Sequence, residues 1–260
     1  MSITRITYEA SGRIASVTLN RPEKRNALDD VMVAELSSAF TQAGRDRNVK
    51  VVLLKGAGPA FSAGADLDYL RRSAGFDMQR NREDSGRFAD LFRIMQQIRK
   101  PVVAAVHGPA LAGGCGLASA CDFVVAAEQG ARFGYPEVRI GFVPALVLVL
   151  LVRRVGEGRA RTLVLRGESI DAREAHRIGL ADIVVPDADL ERETAALVRD
   201  LLEKNSAGSM GLCKEMLIRL QGMTPDESLD FAASMNAAAR MTPDCKKGTE
   251  GFLRKENVAW

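Results

Sequence analysis

Two apolar runs flanking a glycine-rich stretch limit what this chain can become. Val102–Val106 is bounded by Pro101 and by His107-Gly108, and Phe123–Ala127 follows further on. Runs without polar alternation predict strands buried on both faces, which need packed layers above and below. Between them stand Gly113-Gly114-Cys115-Gly116 and small residues at helix-compatible positions up to Ala120. Glycines at a helix start let backbone N–H groups approach a ligand closely, and the first of those groups have no acceptor in the helix. They lie at the positive end of the helix dipole, where a phosphate or the oxygen of a carbonyl becoming an enolate is stabilised. Spacing alone balances this oxyanion reading against a Gly/Ala-rich helix packed tightly on a sheet. It is not a phosphate fingerprint: no Lys-Ser or Lys-Thr follows the glycines, and Ser119 stands where the third glycine of GxGxxG would be.

The rest of the chain supplies the layers. Ile3–Glu9 and Ile14–Leu19 alternate around Ser11-Gly12 and predict an antiparallel hairpin, not the apolar core of a signal peptide. Asp29 is placed to N-cap a helix running to about Arg45, and Val49–Lys55 reads as a buried strand ended by Gly56-Ala57-Gly58-Pro59. Phe61-Ser62-Ala63-Gly64-Ala65-Asp66-Leu67 is a second small-residue turn, opening a helix near Leu67. Arg71–Arg87 lacks periodicity and reads as a mobile segment or exposed helix start with a solvated face, ahead of a helix from about Gly86 to Arg99. Phe142–Val152 contains Pro144, is too short to span a bilayer, and reads as a buried helix.

From Pro144 onward helices are expected to start near Pro144, Gly158, Asp171, Asp189, Ser206, Thr224 and Thr242, with one strand at Ile183–Val185. Asp171/Glu174 and Thr224/Glu227 have the spacing of capping boxes, and Thr242-Pro243 places proline at a first helical position. This divides the chain into an α/β core over residues 1–200 and a C-terminal helical part over 201–260, with no Gly/Ser linker between them.

Chemistry follows by elimination. The net charge of +3 suits an anionic small ligand and is too weak to argue for nucleic acid. Four cysteines without a CxxC pair and two histidines, His107 and His176, leave no metal motif and fit a reduced cytoplasmic setting. No GxSxG occurs, so a Ser-His-Asp triad is not expected. His107, ending a buried strand, reads as a satisfied core histidine ahead of a substrate contact, and His176 as a surface or packing residue. What remains is Glu137, fixed behind Pro136, and two small-residue turns at strand ends. A carboxylate beside two backbone donors suits proton transfer next to a carbonyl.

These segments together resemble the crotonase (enoyl-CoA hydratase/isomerase) superfamily. The resemblance rests on Asn20–Leu28, Phe61–Leu67, Ala112–Leu117, Ala120-Cys121-Asp122, Gly134–Val138 and Ala175–Leu180, in that order along nearly the whole chain. It implies a spiral of ββα units with a C-terminal helical part that supports trimers, often stacked as hexamers. It further implies an acyl-CoA thioester substrate and no cofactor, coenzyme A arriving as part of the substrate. The family's oxyanion hole falls on the N–H groups of Ala65 and Gly113, and its catalytic glutamate on Glu137. Coenzyme A contacts fall on Arg25, Ala27, Ala63, Ala65, Asp66 and Leu67, with Gly113 and Gly114 at the glycine turn.

Two departures qualify the expected activity. Gly116 stands where two-carboxylate hydratases carry a second glutamate, and Phe142–Val147 replaces a glycine-rich turn. Hydration of a 2-enoyl-CoA to a 3-hydroxyacyl-CoA, or its reverse, is the expected reaction. An enoyl-CoA isomerase using the lone acid is the alternative. Asp68 and Glu83 are weak candidates for a missing acid. A methylglutaconyl-type substrate would call on Arg71, Arg72 or Arg82 for its distal carboxylate, and a non-catalytic RNA-binding member of the fold is a further alternative.

Overall fold

Alternation along the strands separates two cores. In the computed structural model, which describes residues 4–260, Val52, Leu54, Val102, Ala104, Val106, Val124 and Ala126 face one core. Val51, Val103, Val125 and Ala127 face the other. Side chains two apart share a face, so both faces of the sheet must be covered, and helices do this.

The strands are β1 (Ile6–Ser11), β2 (Ile14–Leu19), β3 (Val51–Gly56), β4 (Val102–Val106), β5 (Pro109–Leu111), β6 (Phe123–Ala127), β7 (Arg132–Gly134), β8 (Ser169–Asp171) and β9 (Ile183–Val185). The large sheet has the order β1-β2-β3-β4-β6-β9, antiparallel only at the β1/β2 hairpin; the small sheet is β5-β7-β8. The chain leaves β4 for β5 in the small sheet and then enters α4 (Gly113–Ala120). It repeats the move from β6 to β7 and on to α5 (Ala145–Val155) and α6 (Glu157–Arg166). This recurrence is the ββα spiral. Ile3 of the expected hairpin lies outside the described residues.

One core is covered by α1 (Asp30–Arg45), α3 (Met78–Gln97), α4 and α5; the other is closed by α8 (Leu190–Lys204) through Leu190, Val198 and Leu201. The remaining helices are α2 (Leu67–Ser73), α7 (Ala172–Arg177), α9 (Ala207–Arg219), α10 (Pro225–Arg240) and α11 (Pro243–Arg254). Lys214 on α9 is buried and donates to Met95 O and Lys100 O, both at 3.1 Å, and to Asp122 Oδ2 at 2.6 Å. Asp122 also accepts Val102 N–H at 2.7 Å, so the C-terminal helices are tied to the head of β4.

Four expectations change. Strands β5, β7 and β8 span three residues each, too short for periodicity to reveal. Helix α3 starts at Met78, not near Gly86, because Asp77 caps it by accepting Arg80 N–H at 2.8 Å. Its buried residues begin only at Leu91, so the first turns show no apolar stripe. The Phe142–Val152 segment is not a buried helix. It is half-buried: Val147, Leu150 and Leu151 face the core, whereas Phe142, Val143 and Val149 are exposed. Thr224/Glu227 forms the full capping box, but at α7 only Asp171 caps, while Glu174 turns to Arg177.

Candidate active site

The first turn is built by one asparagine. Arg25 and Asn26 adopt left-handed φ values of 51° and 55°, a region in which Asn is better tolerated than most residues. Asn26 is fully buried, and its Oδ1 accepts Arg21 N–H at 2.8 Å. Its Nδ2 donates to the carbonyls of Ala57 and Ala60 at 2.8 Å and of Phe61 at 3.2 Å. The Ser62 hydroxyl donates back to Asn26 O at 2.8 Å. The Asn20–Leu28 and Phe61–Leu67 segments thus fold as one unit.

That unit orients Ala65. Leu28 N–H donates to Gly64 O at 2.7 Å and Asp66 N–H to Leu28 O at 2.9 Å, the pattern of a parallel bridge between Leu28 and Ala65. In such a bridge the N–H of Ala65 points away from Leu28, and it donates to no acceptor among the described residues. Asp66 caps α2 by accepting Tyr69 N–H at 3.0 Å and takes the Arg21 guanidinium at 2.6 Å. Burial pushes the Asp66 carboxyl up, but these donors prevail and hold it below the usual carboxylate range.

The second turn is tight against the first. Ala112 is held at φ 48°, ψ −122°, a conformation L-residues seldom adopt, with its N–H on Gly134 O at 2.8 Å. Gly113 follows as the first residue of α4, and its N–H donates to no acceptor among the described residues. Gly64 has φ +88°, and a Cβ built there would sit 2.7 Å from Leu111 O and 3.2 Å from Gly113 N. The same Cβ would come 2.6 Å from Ala112 Cβ, so the two turns meet through main chain and one methyl group, with no room for a side chain at Gly64. Gly114 packs on Ser62, where a Cβ would come 2.6 Å from the serine Cβ.

Glu137 lies in the 3-10 helix Pro136–Ile140 that follows β7. It is 7% exposed, and its Oε2 is buried with no hydrogen-bond partner among the described residues. Burial pushes its carboxyl pKa up, which moves a glutamate toward the range where it both accepts and returns protons.

All three elements border one cavity of about 760 Å³. Of the residues singled out from sequence, Ala27, Ala63, Ala65, Asp66, Leu67, Gly113 and Glu137 line it. Arg25 and Gly114 do not; Arg25 is exposed and its carbonyl accepts Ala63 N–H at 2.9 Å. His107 lies outside, bonded to Gly58 O at 2.8 Å, and His176 faces Ala181 O at 3.1 Å. Asp68 reaches the rim but pairs with Lys24 at 3.1 Å, and Glu83 bonds Gln79 outside the lining. Arg71, Arg72 and Arg82 do not line the cavity. Sequence reasoning missed the structural role of Asn26 and a polar group formed by Tyr69, Asp84 and Arg87. Asn26 stands within the Asn20–Leu28 motif without a local sign of its role; Asp84 and Arg87 lie in the unperiodic start of α3, and Tyr69 reaches them from α2.

Gly116, which the resemblance aligns with the second glutamate of two-carboxylate hydratases, has no room for a side chain. A Cβ built at Gly116 would lie 2.8 Å from Val147 Cβ, clash with its Cγ1, and come 3.4 Å from Phe92 Cζ. Gly116→Ala is expected to destabilise the fold by about 2 kcal/mol through overpacking. The double variant Gly116→Ala/Val147→Ala should recover most of that in urea denaturation. A single variant as stable as wild type would contradict the crowding.

The chain matches the enoyl-CoA hydratase/isomerase family over residues 9–260. It is 45% identical over 244 residues to a protein of Thermus thermophilus carrying the provisional name enoyl-CoA hydratase, covering 94% of this chain and 96% of that one. It is 34% identical over 264 residues to a crotonyl-CoA hydratase of Syntrophomonas wolfei, covering 99% and 98% respectively. The crystal structure of an enoyl-CoA hydratase from Mycobacterium smegmatis superposes with a TM-score of 0.93 at 30% identity, over 99% of both chains. With the ββα spiral and a family match over nearly the full length, the chain belongs to the enoyl-CoA hydratase/isomerase family.

Proposed function

We propose that this protein hydrates a 2-enoyl-CoA to a 3-hydroxyacyl-CoA, or catalyses the reverse. The carrying observation is Glu137: a nearly buried carboxylate with an unpartnered oxygen, on the wall of a cavity that two undonated amides also border. The hydratase names of full-length relatives support the same reaction. In this reading the thioester oxygen sits between Ala65 N–H and Gly113 N–H, each donor worth about 3–4 kcal/mol as an enolate forms. Glu137 takes a proton from the attacking water and returns one to the α carbon. Balance is complete: the double bond gains H and OH, and the enzyme ends as it began.

No cofactor beyond coenzyme A is required by this chemistry. Ala27, Ala63, Asp66 and Leu67 are the proposed flank of the nucleotide and pantetheine, and Arg25 and Gly114 hold that flank through the backbone. Residues 201–260 are the proposed contact surface of a trimer or dimer of trimers. Leu217, Leu229, Met241, Phe252 and Leu253 are exposed there and favour burial against another copy. Among the described residues no helix is long and apolar enough to cross a membrane. We place the enzyme in the cytoplasm on its unpaired cysteines.

Val147 and Phe92 at the position of a second acid favour one other reading, proton shuttling by a lone glutamate in an isomerase. Crotonyl-CoA and a 3-enoyl-CoA offered separately decide between them. Loss of the crotonyl-CoA absorbance at a rate at least tenfold above conjugation of the 3-enoyl substrate is expected; the opposite ranking makes the protein an isomerase.

A further inference from the structure

Glu137 must be aimed by the main chain that carries it, because its buried Oε2 has no hydrogen-bond partner among the described residues. That main chain is the 3-10 helix Pro136–Ile140, and the residue directly before it is Tyr135. Tyr135 is among the largest fully buried side chains of the protein. Its backbone sits at φ −127°, ψ 74°, outside the helical region that a following proline disfavours. Its hydroxyl and that of Ser119, on the last turn of α4, are hydrogen-bonded at 3.0 Å in the interior. The Cys115 thiol, one turn earlier on α4, borders the phenol; burial pushes the thiol up to about 12 and holds the phenol well above its ordinary value. The contact is therefore between neutral groups. Neither Tyr135, Ser119 nor Cys115 lines the cavity.

Two polar ties join α4 to the segment that bears Glu137. At the start of α4, Ala112 N–H donates to Gly134 O at 2.8 Å; at its end stands the Tyr135–Ser119 bond. Ser119 lies roughly 10 Å further along the helix axis than Ala112. One tie alone is a pivot, whereas two this far apart also fix direction. Sheet pairing stops at Gly134, the last residue of β7. Beyond Tyr135 the hydrogen bonds close within the segment, with Phe142 N–H on Glu137 O at 3.0 Å and Gly141 N–H on Val138 O at 3.3 Å. The start of α4 is fixed separately, because Gly114 packs on Ser62 and Gly64 on Ala112. Breaking the Tyr135–Ser119 bond thus leaves the Ala65 and Gly113 amides in place and loosens the carboxylate.

From this arrangement we infer that Tyr135 is a positioning residue: its bond to Ser119 registers the Glu137 segment against α4, whose first amide holds the thioester oxygen, and so sets where the carboxylate meets the substrate carbons. This rests on the hydratase reading for the roles of Glu137 and Gly113. Tyr135 does not touch substrate, and it acts only through the residue two places on. A proton moves between Glu137 and carbon or water only when the groups are within hydrogen-bond reach, so a small displacement of the carboxylate is felt in the rate. Binding is not affected in the same way, because the amides that take the thioester oxygen keep their own supports.

Three variants of the full chain test this: Tyr135→Phe, Ser119→Ala, and the two combined. Each single change is expected to lower kcat for crotonyl-CoA by about ten- to hundredfold, the scale on which a carboxylate misplaced by about 1 Å loses rate. The calorimetric Kd for butyryl-CoA should stay within about threefold of wild type, since the binding amides are untouched. The combined variant should lose no more kcat than either change alone, because both remove the same bond. It also leaves no hydroxyl unpaired, so its stability in urea should return toward wild type while its kcat does not. A bond that serves stability alone gives the opposite result, with kcat per folded molecule returning as stability returns. Wild-type kcat in the combined variant, or losses that multiply, overturns the inference. The wild-type chain is also offered a 3-enoyl-CoA. Faster turnover of that substrate than of crotonyl-CoA overturns the hydratase reading alone, and the ratio of variant to wild-type kcat on it still decides whether Tyr135 positions Glu137.

Discussion

Replacing Glu137 by glutamine is expected to lower kcat for crotonyl-CoA hydration by about three orders of magnitude, within the range that positioned acid–base groups contribute. Glutamine keeps the volume of the side chain but neither takes a proton from water nor gives one to carbon. Because the proposed thioester contacts are backbone amides, the Kd for a saturated acyl-CoA should stay within a few-fold of wild type. The carboxyl is pushed up by burial, so the acidic limb of kcat/KM should lie above the ordinary glutamate range. The rate falls as pH drops through that raised value, since the base form is lost. Stability runs the other way. A carboxyl whose pKa is higher folded than unfolded contributes stability that is full below the unfolded value and lost as pH rises through the folded one. Near neutral pH the ionised Glu137 opposes folding, and the glutamine variant should melt no lower than wild type. Turnover near the wild-type rate would end the assignment of Glu137 as the acid–base group.

Asn26→Asp is expected to be the most damaging single-atom change to the fold, costing about 3–5 kcal/mol in urea denaturation. The variant keeps an oxygen for Arg21 N–H but exchanges two N–H donors for a second acceptor. The carbonyls of Ala57, Ala60 and Phe61 then face a carboxylate oxygen inside the protein. Each buried polar group left without a partner costs about 1–3 kcal/mol, and a buried unpaired charge costs more. If the variant survives, Ala65 loses its alignment, because the Asn26 Nδ2 bonds to Ala60 O and Phe61 O connect the two segments that orient it. Loss of activity should then exceed what the unfolded fraction explains. A midpoint within experimental error of wild type would mean that the turn is held by something other than this side chain.

Layers and site were legible to different degrees, for physical reasons. The buried strands β4 and β6 and the capped helices α1 and α10 carry strong local signals, and both stand where the residues place them. The second sheet was invisible because each of its strands is three residues long and is held by pairing with distant chain. The two small-residue turns could be found from composition, but their contact through Gly64 depends on tertiary pairing of Ser62 with Pro109 and Leu111. Asp84 escaped notice because nothing local distinguishes it from the other charges of α3. Only the Tyr69 hydroxyl, carried in from α2, gives it a role.

The meeting of Gly64 with the start of α4 has a consequence for how such a protein can change. The separation between the Ala65 and Gly113 amides is set where Gly64 meets the Leu111 carbonyl, the Gly113 nitrogen and the Ala112 methyl, with no long side chain acting as a spacer. Residues such as Tyr69, Phe142 or Leu146 can then be exchanged to admit a different acyl group without retuning the anion-holding geometry. Selectivity and rate become separately adjustable, and a lineage can explore new thioesters while its machinery for charge stabilisation stays in register.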